Sequence, residues 1–244
     1  MLSKSTLKYI QSLGQKKFRQ AEQRFLAEGP KVVLEFLRTA PEQVRAVYAL
    51  PEWLDAHRDQ LRGLESGPVT PQELERLTQL TVPNQVLAVV AMFGDTAFPD
   101  PKAGLTLALD AIQDPGNMGT IIRTADWFGI TQIVCSPECA DRYNPKVVQA
   151  TMGSLTRVSL HYCDLETWLS ALSDVRIYAA VLDGRDVSRM EKVRDGVLLV
   201  GNESRGLRAE LIQRAGVRIT IPRRGEAESL NAAVATGIIL SHLC

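Results

Sequence analysis

The chain has 244 residues, 45% of them hydrophobic and 23% charged, with 28 basic and 28 acidic side chains that balance to zero net charge. These values exclude a disordered or fibrous class and leave room for one large or two modest domains with proper cores. Neutrality gives no global support for nucleic-acid binding, so any such role rests on local charge.

From the N-terminus, Lys4, Lys8, Lys16, Lys17, Arg19 and Arg24 face a single acid, Glu22. This stretch reads as a basic helix able to meet a phosphate backbone. An acid-poor start with Ser and Lys also fits an organelle transit peptide, but "KYIQSLGQKKFRQAEQRFLAEG" runs into patterned sequence without a break in composition. Next, "RFLAEG", "VRAVYAL" and "QVLAVVAMF" read as strands, separated by helical "PKVVLEFLRTA", "PEWLDAHRDQL" and "TPQELERLTQL". The last two helices open with Pro near the first turn. The expectation is a basic helix followed by a small α/β sandwich, the two together spanning residues 1–95. "FGDTAFPDPKAG", rich in Pro, Gly and Asp, marks a linker at 96–103.

Beyond the linker, "LTLALD", "TQIVCS", "RVSLHY", "VRIYAAVL", "GVLLVGN" and "VRITIP" are short, β-branched and almost continuously apolar. That is the pattern of parallel strands buried on both faces. Helical "NMGTIIRTADWFG", "NPKVVQATMG", "DLETWLSAL", "LRAELIQRAG" and "SLNAAVATGIILSHL" alternate with them, which predicts a doubly wound parallel sheet over 104–244. The longest apolar run, "AAVATGIIL", is too short for a bilayer, which needs roughly 20 residues. With no secretory apolar core either, a cytoplasmic protein without a membrane partner is expected. Cys135, Cys139, Cys163 and Cys244 have neither CxxC nor zinc spacing, so reduced thiols and no metal are expected. His57, His161 and His242 read as surface or packing residues.

Ligands of such sheets bind beyond the carboxyl ends of the strands, which directs attention to three polar hinges. After "LTLALD", Asp114-Pro115-Gly116 reads as a turn and Asn117 as the cap of the next helix, with Arg123 two turns along it. After "GVLLV", Gly201 permits either the close approach of a flat ligand or a tight turn; Glu203 and Gly206 follow. This is neither a GxGxxG fingerprint nor a phosphate-binding loop, and its acid would repel a pyrophosphate. After "VRIT", the basic Arg223-Arg224-Gly225 leads to Ser229-Leu230-Asn231, where either polar residue could cap the last helix. Together the hinges form a polar cup without histidine or cysteine, suited to a nucleotide-like ligand and to chemistry without a conventional base.

At these residues the sequence resembles the SpoU/TrmH family of RNA ribose methyltransferases. "NMGTIIRTA" is similar to the family motif Asn-x-Gly-x-x-x-Arg, "LLVGNESRGL" to Gly-(Asn/Gly)-Glu-x-x-Gly, and "IPRRGEAESLNAAVA" to Ile-Pro-Met-x-Gly-x-x-x-Ser-Leu-Asn-Val-Ser-x-Ala. "YNPKVVQATMGSL" fits the region after the second strand, and "RFLAEGPKVVLEFL" resembles the start of an L30e-like substrate-binding domain. Two positions depart from the third motif: Arg223 stands for Met, at the rim of the cofactor loop, and Ala232-Ala233 for Val-Ser.

The resemblance implies a deep trefoil knot, which the usual rule for chain connections would exclude, S-adenosylmethionine as cofactor and a homodimer. It implies that Gly201, Ile221 and Leu230 contact the cofactor. Arg123, Glu203, Ser229 and Asn231 would form the reacting site, supported by Asn117, with Glu203 fixing Arg123 across the dimer. The expected substrate is a ribose 2′-hydroxyl in structured RNA, ribosomal RNA before transfer RNA. Competing readings are a non-catalytic RNA-binding protein of the same fold and a nicotinamide-dependent oxidoreductase, for which the glycine fingerprint is missing.

Overall fold

The computed structural model describes residues 2–94 and 96–244. It divides into two compact units. The first takes in the described residues up to Gly94 together with Asp141–Thr156; the second holds those onward to Ala140 together with Arg157–Cys244.

The first unit opens with α1 (Lys4–Ser12) and α2 (Lys16–Glu22), so the expected single basic helix is two. The break falls at Leu13 and Gly14. Leu13 is fully buried, and a β-carbon on Gly14 would lie 2.2 Å from the side-chain oxygen of Gln79. Leu7, Ile10 and Leu13 join one core cluster, so this segment is part of the fold. Nor is its charge all free: Arg19 is buried, donates to the carbonyls of Leu13 and Gly14, and pairs with Asp141 at 2.6 Å.

β1 (Arg24–Glu28), α3 (Pro30–Thr39), β2 (Val44–Ala49), α4 (Pro51–Ala56), β3 (Glu65–Pro68), α5 (Pro71–Leu77) and β4 (Val86–Ala91) follow. α3, α4 and α5 all begin on a proline, whose missing N–H is harmless at a helix start. α5 adds a capping box, Thr70 accepting from the Glu73 N–H and Glu73 from the Thr70 N–H. The sheet order is β1-β4-β2-β3, antiparallel except for the β2/β3 pair. α1 and α5 contribute to the core on one face. On β1 the side chain of Phe25, fully buried, meets the rings of Phe36 at 5.7 Å and Tyr143 at 4.6 Å.

The second unit is built on β5 (Leu105–Leu109), α6 (Pro115–Trp127) and β6 (Gln132–Cys135). The chain next forms α7 (Pro145–Thr151), which belongs with the first unit, and returns in β7 (Ser159–Tyr162). It continues with α8 (Leu165–Ser170), β8 (Ile177–Asp186), β9 (Gly196–Val200), α9 (Ala209–Arg214), β10 (Val217–Thr220) and α10 (Ala232–Leu243). All six strands are parallel, in the order β10-β8-β9-β5-β6-β7, as their unbroken apolar runs predict. Leu165, Leu169, Leu207 and Leu211 pack with Ala108, Val134, Val197 and Leu199, while the alternate residues Leu107, Leu109 and Leu198 are equally buried.

The order places the reversal of winding between β5 and β9, the position where doubly wound sheets hold ligands. β10 lies at one edge, yet α10 packs on α6, which follows the central β5. Residues 221–231 therefore carry the chain back across the carboxyl ends of β8 and β9. Among the described residues no helix is long and apolar enough to cross a membrane. Among the described residues the four cysteines form no disulfide: Cys135 and Cys139 are buried, Cys163 half-buried and Cys244 exposed.

Candidate active site

The three hinges meet beyond the carboxyl ends of β5, β9 and β10. The first differs from its expected form. Asp114, not Asn117, caps α6: its carboxylate accepts the Asn117 N–H at 2.8 Å, and Pro115 takes the first helical position. Proline is at home there because its nitrogen has no proton to satisfy. Asn117, now inside the first turn, has its amide free for other partners.

The second hinge folds on itself. A β-carbon on Gly201 would lie 2.4 Å from the backbone of Gly206 and Leu207, so what approaches this glycine closely is its own loop. Asn202 organises the turn. Its side-chain oxygen accepts from the N–H groups of Ser204 and Arg205, its amide donates to the Ala111 carbonyl, and its own carbonyl accepts from the Gly206 N–H. Asp110, 1% exposed at the end of β5, accepts from the Arg208 N–H at 3.0 Å and from its guanidinium at 2.9 Å. Asp110, Asn202 and Arg208 were not singled out in the sequence. The available signal was an aspartate closing the otherwise apolar strand "LTLALD".

In the third hinge Asn231 is the cap of α10. Its side-chain oxygen accepts from the N–H groups of Ala233 at 3.0 Å and Val234 at 3.2 Å. Ser229 lies exposed ahead of it and takes no part in the cap.

One polar chain ties the hinges together. Asn231 donates its amide to the Asn117 side-chain oxygen at 2.8 Å, and Asn117 donates to the Glu203 carboxylate in a short hydrogen bond. The helix N-terminus dictates every direction in it. Because the Asn231 oxygen must face the α10 N–H groups, its NH2 faces Asn117; the Asn117 oxygen is thereby used, and its NH2 meets an acceptor-only carboxylate. Of the candidate residues, the structure brings together Asn117, Glu203 and Asn231.

Arg123 stands outside this chain. It is exposed on α6 and makes no hydrogen bond or ion pair among the described residues. Ser229 is likewise unengaged. Leu230 is 45% exposed, an apolar side chain beside the polar chain, and Ile221 is half-buried at the end of β10. Residues 223–230 make no backbone–backbone hydrogen bond among the described residues; Arg223 reaches the Ala227 carbonyl only at 3.4 Å. Such a segment, with free peptide groups and one exposed leucine, fits a ligand that combines a flat apolar ring with hydrogen-bonding edges.

No group of three or more His, Cys, Asp or Glu able to hold a metal occurs among the described residues. The histidines lie apart from the hinges: His57 stacks on Trp53 at 4.1 Å, His161 packs on Phe98 at 4.8 Å, and His242 sits in the last turn of α10.

Residues 104–241 match the model of the SpoU rRNA Methylase family, and residues 4–88 that of the MRM3-like substrate binding domain. The chain is 32% identical over 234 residues to the 23S rRNA (guanosine(2553)-2′-O)-methyltransferase RlmP of Bacillus subtilis, covering 93% of this chain and 91% of that protein. A TrmH-family protein from Porphyromonas gingivalis has a similar structure, with TM-score 0.83, 35% identity and coverage of 99% and 98% of the two chains. So has an AdoMet-bound rRNA methyltransferase from Sinorhizobium meliloti, with TM-score 0.84, 32% identity and coverage of 99% and 95%.

Proposed function

The chain belongs to the SpoU rRNA Methylase family, and from that premise we propose that it methylates a ribose 2′-hydroxyl of structured RNA, ribosomal RNA before transfer RNA, using S-adenosylmethionine. The observation that carries this reading is the Glu203–Asn117–Asn231 chain, which unites the three hinges at the carboxyl ends of the sheet. A catalytic unit over 104–244, an RNA-recognition unit over 1–95 and a joining segment at 96–103 go with it, and the match of residues 4–88 to a substrate-binding family supports the division. The protein would act where its RNA is, in the cytoplasm.

S-adenosylmethionine, when bound, supplies an electrophilic methyl group on a sulfonium. Gly201, Ile221 and Leu230 would hold it, largely through backbone groups, with the exposed Leu230 side chain against its adenine. The bent 201–208 loop, pinned by Asp110, keeps that cradle in shape. The reacting hydroxyl is a weak acid and needs orientation more than a strong base. Arg123 supplies donors to it and stabilises the negative charge that develops on its oxygen. A guanidinium does not take up the proton, which passes to an RNA phosphate or to water. Positioned donors of this kind are worth about 3 kcal/mol of barrier. Ser229 and Asn231 hold the loop or the ribose, and Glu203 anchors the hinge.

Arg123 has no tie to the polar chain of its own copy, which supports a site completed by a second copy, with Glu203 fixing Arg123 across a homodimer. The paired helices support the same assembly. Gly237 of α10 faces Thr124 of α6, while Trp127 (85% exposed) and Val234 (51%) offer apolar side chains outward. The return of residues 221–231 across the strand ends supports the deep trefoil knot of the family.

The test pairs calorimetric titration with S-adenosylmethionine and methyl transfer to RNA from cells lacking the gene, the product mapped by nucleotide. Wild-type protein should bind the cofactor and modify one ribosomal position. Arg123→Ala should lose about a hundredfold in turnover, the equivalent of that 3 kcal/mol, with cofactor affinity within twofold. Near-full turnover in the variant would remove Arg123 from the mechanism.

A further inference from the structure

The first unit carries a cup that the methyl-transfer chemistry does not use. It encloses about 440 Å³ and is lined by Ser5, Thr6 and Tyr9 of α1, Arg24 of β1, Arg45 and Tyr48 of β2, and Glu65 of β3. Small-molecule sites begin at about 300 Å³, so one nucleotide can enter.

Its construction is specific. Along β2, Val44 pairs with Val90 whereas Ala46 pairs with Val89, a register shift that leaves Arg45 as the extra residue of a β-bulge. In a regular strand Arg45 would point to the face opposite Ala46; a bulge re-aims a side chain, and here Arg45 lines the same cup as Ala46 and Val89. Arg24 lines it from β1, and its guanidinium is steadied by the Tyr9 hydroxyl at 3.0 Å.

The charges in the cup are uneven. Arg45 makes no hydrogen bond or ion pair among the described residues, and Arg24 has only the Tyr9 hydroxyl. Glu65, the one carboxylate in the lining, accepts the Tyr48 hydroxyl at 3.0 Å. Burial and that carboxylate push the Tyr48 phenol up to about 12, so it stays a neutral donor on Glu65. Two guanidiniums thus face the cup without a carboxylate bound to either, beside the half-buried ring of Tyr9. Paired forks suit a phosphate, and a phenol ring beside them suits a base.

We propose that this cup binds one unpaired nucleotide of the RNA substrate, its phosphate on Arg24 and Arg45 and its base against Tyr9. The proposal rests on the RNA-modifying reading of the chain but concerns a site within the first unit, so the two can fail separately. The full-length protein is titrated with a fluorescent single-stranded RNA hexamer by anisotropy at several salt concentrations. S-adenosylmethionine affinity is measured on the same samples.

Wild type should bind the hexamer, and Arg45→Ala, at an exposed bulge, should bind about tenfold more weakly. Its salt dependence should be shallower by about 0.7 in log–log slope, the share of one phosphate contact with a single strand. Arg24→Lys, which keeps charge but loses the fork, should fall between the two, and cofactor affinity should stay within twofold throughout. A wild-type protein that ignores the hexamer overturns the proposal, as does an Arg45→Ala protein with unaltered affinity and slope. Absence of cofactor binding by wild type, with the hexamer result intact, would instead strike the methyltransferase reading alone.

Discussion

Asn117 and Asn231 are the same residue type at two helix starts, yet only one is a cap. At α10 the side-chain oxygen of Asn231 satisfies two backbone N–H groups, which an asparagine does well when it stands just before the first turn. At α6 Asp114 takes that place, three residues ahead of Asn117, at a position whose Asp-Pro-Gly sequence reads as a turn. The outcome matters because a cap uses up the side-chain oxygen, whereas the Asn117 oxygen can accept from Asn231 while its NH2 donates to Glu203. Asn117→Ala should therefore uncouple the hinges. Its partners are partly exposed, so the expected loss of stability is modest, about 1 kcal/mol by denaturant titration. Methyl transfer should fall well beyond that, tenfold or more; a parallel, minor drop in both would leave Asn117 with a structural role only.

Among the elements, the buried strands were the most legible. Each of the six apolar runs after residue 104 became a parallel strand; the central β5 and β9 are buried along nearly their whole length, as such runs predict, whereas the edge strand β10 leaves Arg218 exposed. β3 was missed for the converse reason: "ESGP" is largely exposed and has no apolar alternation. The single basic helix was misread because the burial of Leu13 and the approach of Gln79 to Gly14 are long-range effects with no local signature. At the hinge after β9 the sequence leaves two alternatives open, and the structure shows the tight turn, since the loop's own backbone passes against Gly201. Gly201→Ala places a methyl 2.4 Å from that backbone, a clash that neither partner can relieve by a rotamer change. The loop should open, with loss of S-adenosylmethionine binding in calorimetry. An alanine variant that binds the cofactor as wild type does would show the loop to be free to shift.

For the whole molecule, the segment 141–156 is the instructive case. By its place in the chain it follows the second strand of the parallel sheet, yet it packs with the first unit, where Asp141 meets Arg19 and Tyr143 meets Phe25. Asp141→Ala would strand the buried Arg19 guanidinium on two backbone carbonyls. Removing one partner of a buried pair costs about 3 kcal/mol, to be read as a lower urea midpoint at an unchanged slope; an unaltered midpoint would mean that the pair contributes nothing. Periodicity and turn chemistry, which act between near neighbours, determined the α/β class, the parallel sheet and the three hinges, and the motifs in those hinges carried the family resemblance. Tertiary structure alone decided which asparagine caps and which one links, which way Arg45 points, and where α7 packs. Those outcomes depend on groups far apart in the chain, and no local pattern of residues encodes the meeting of two distant ones.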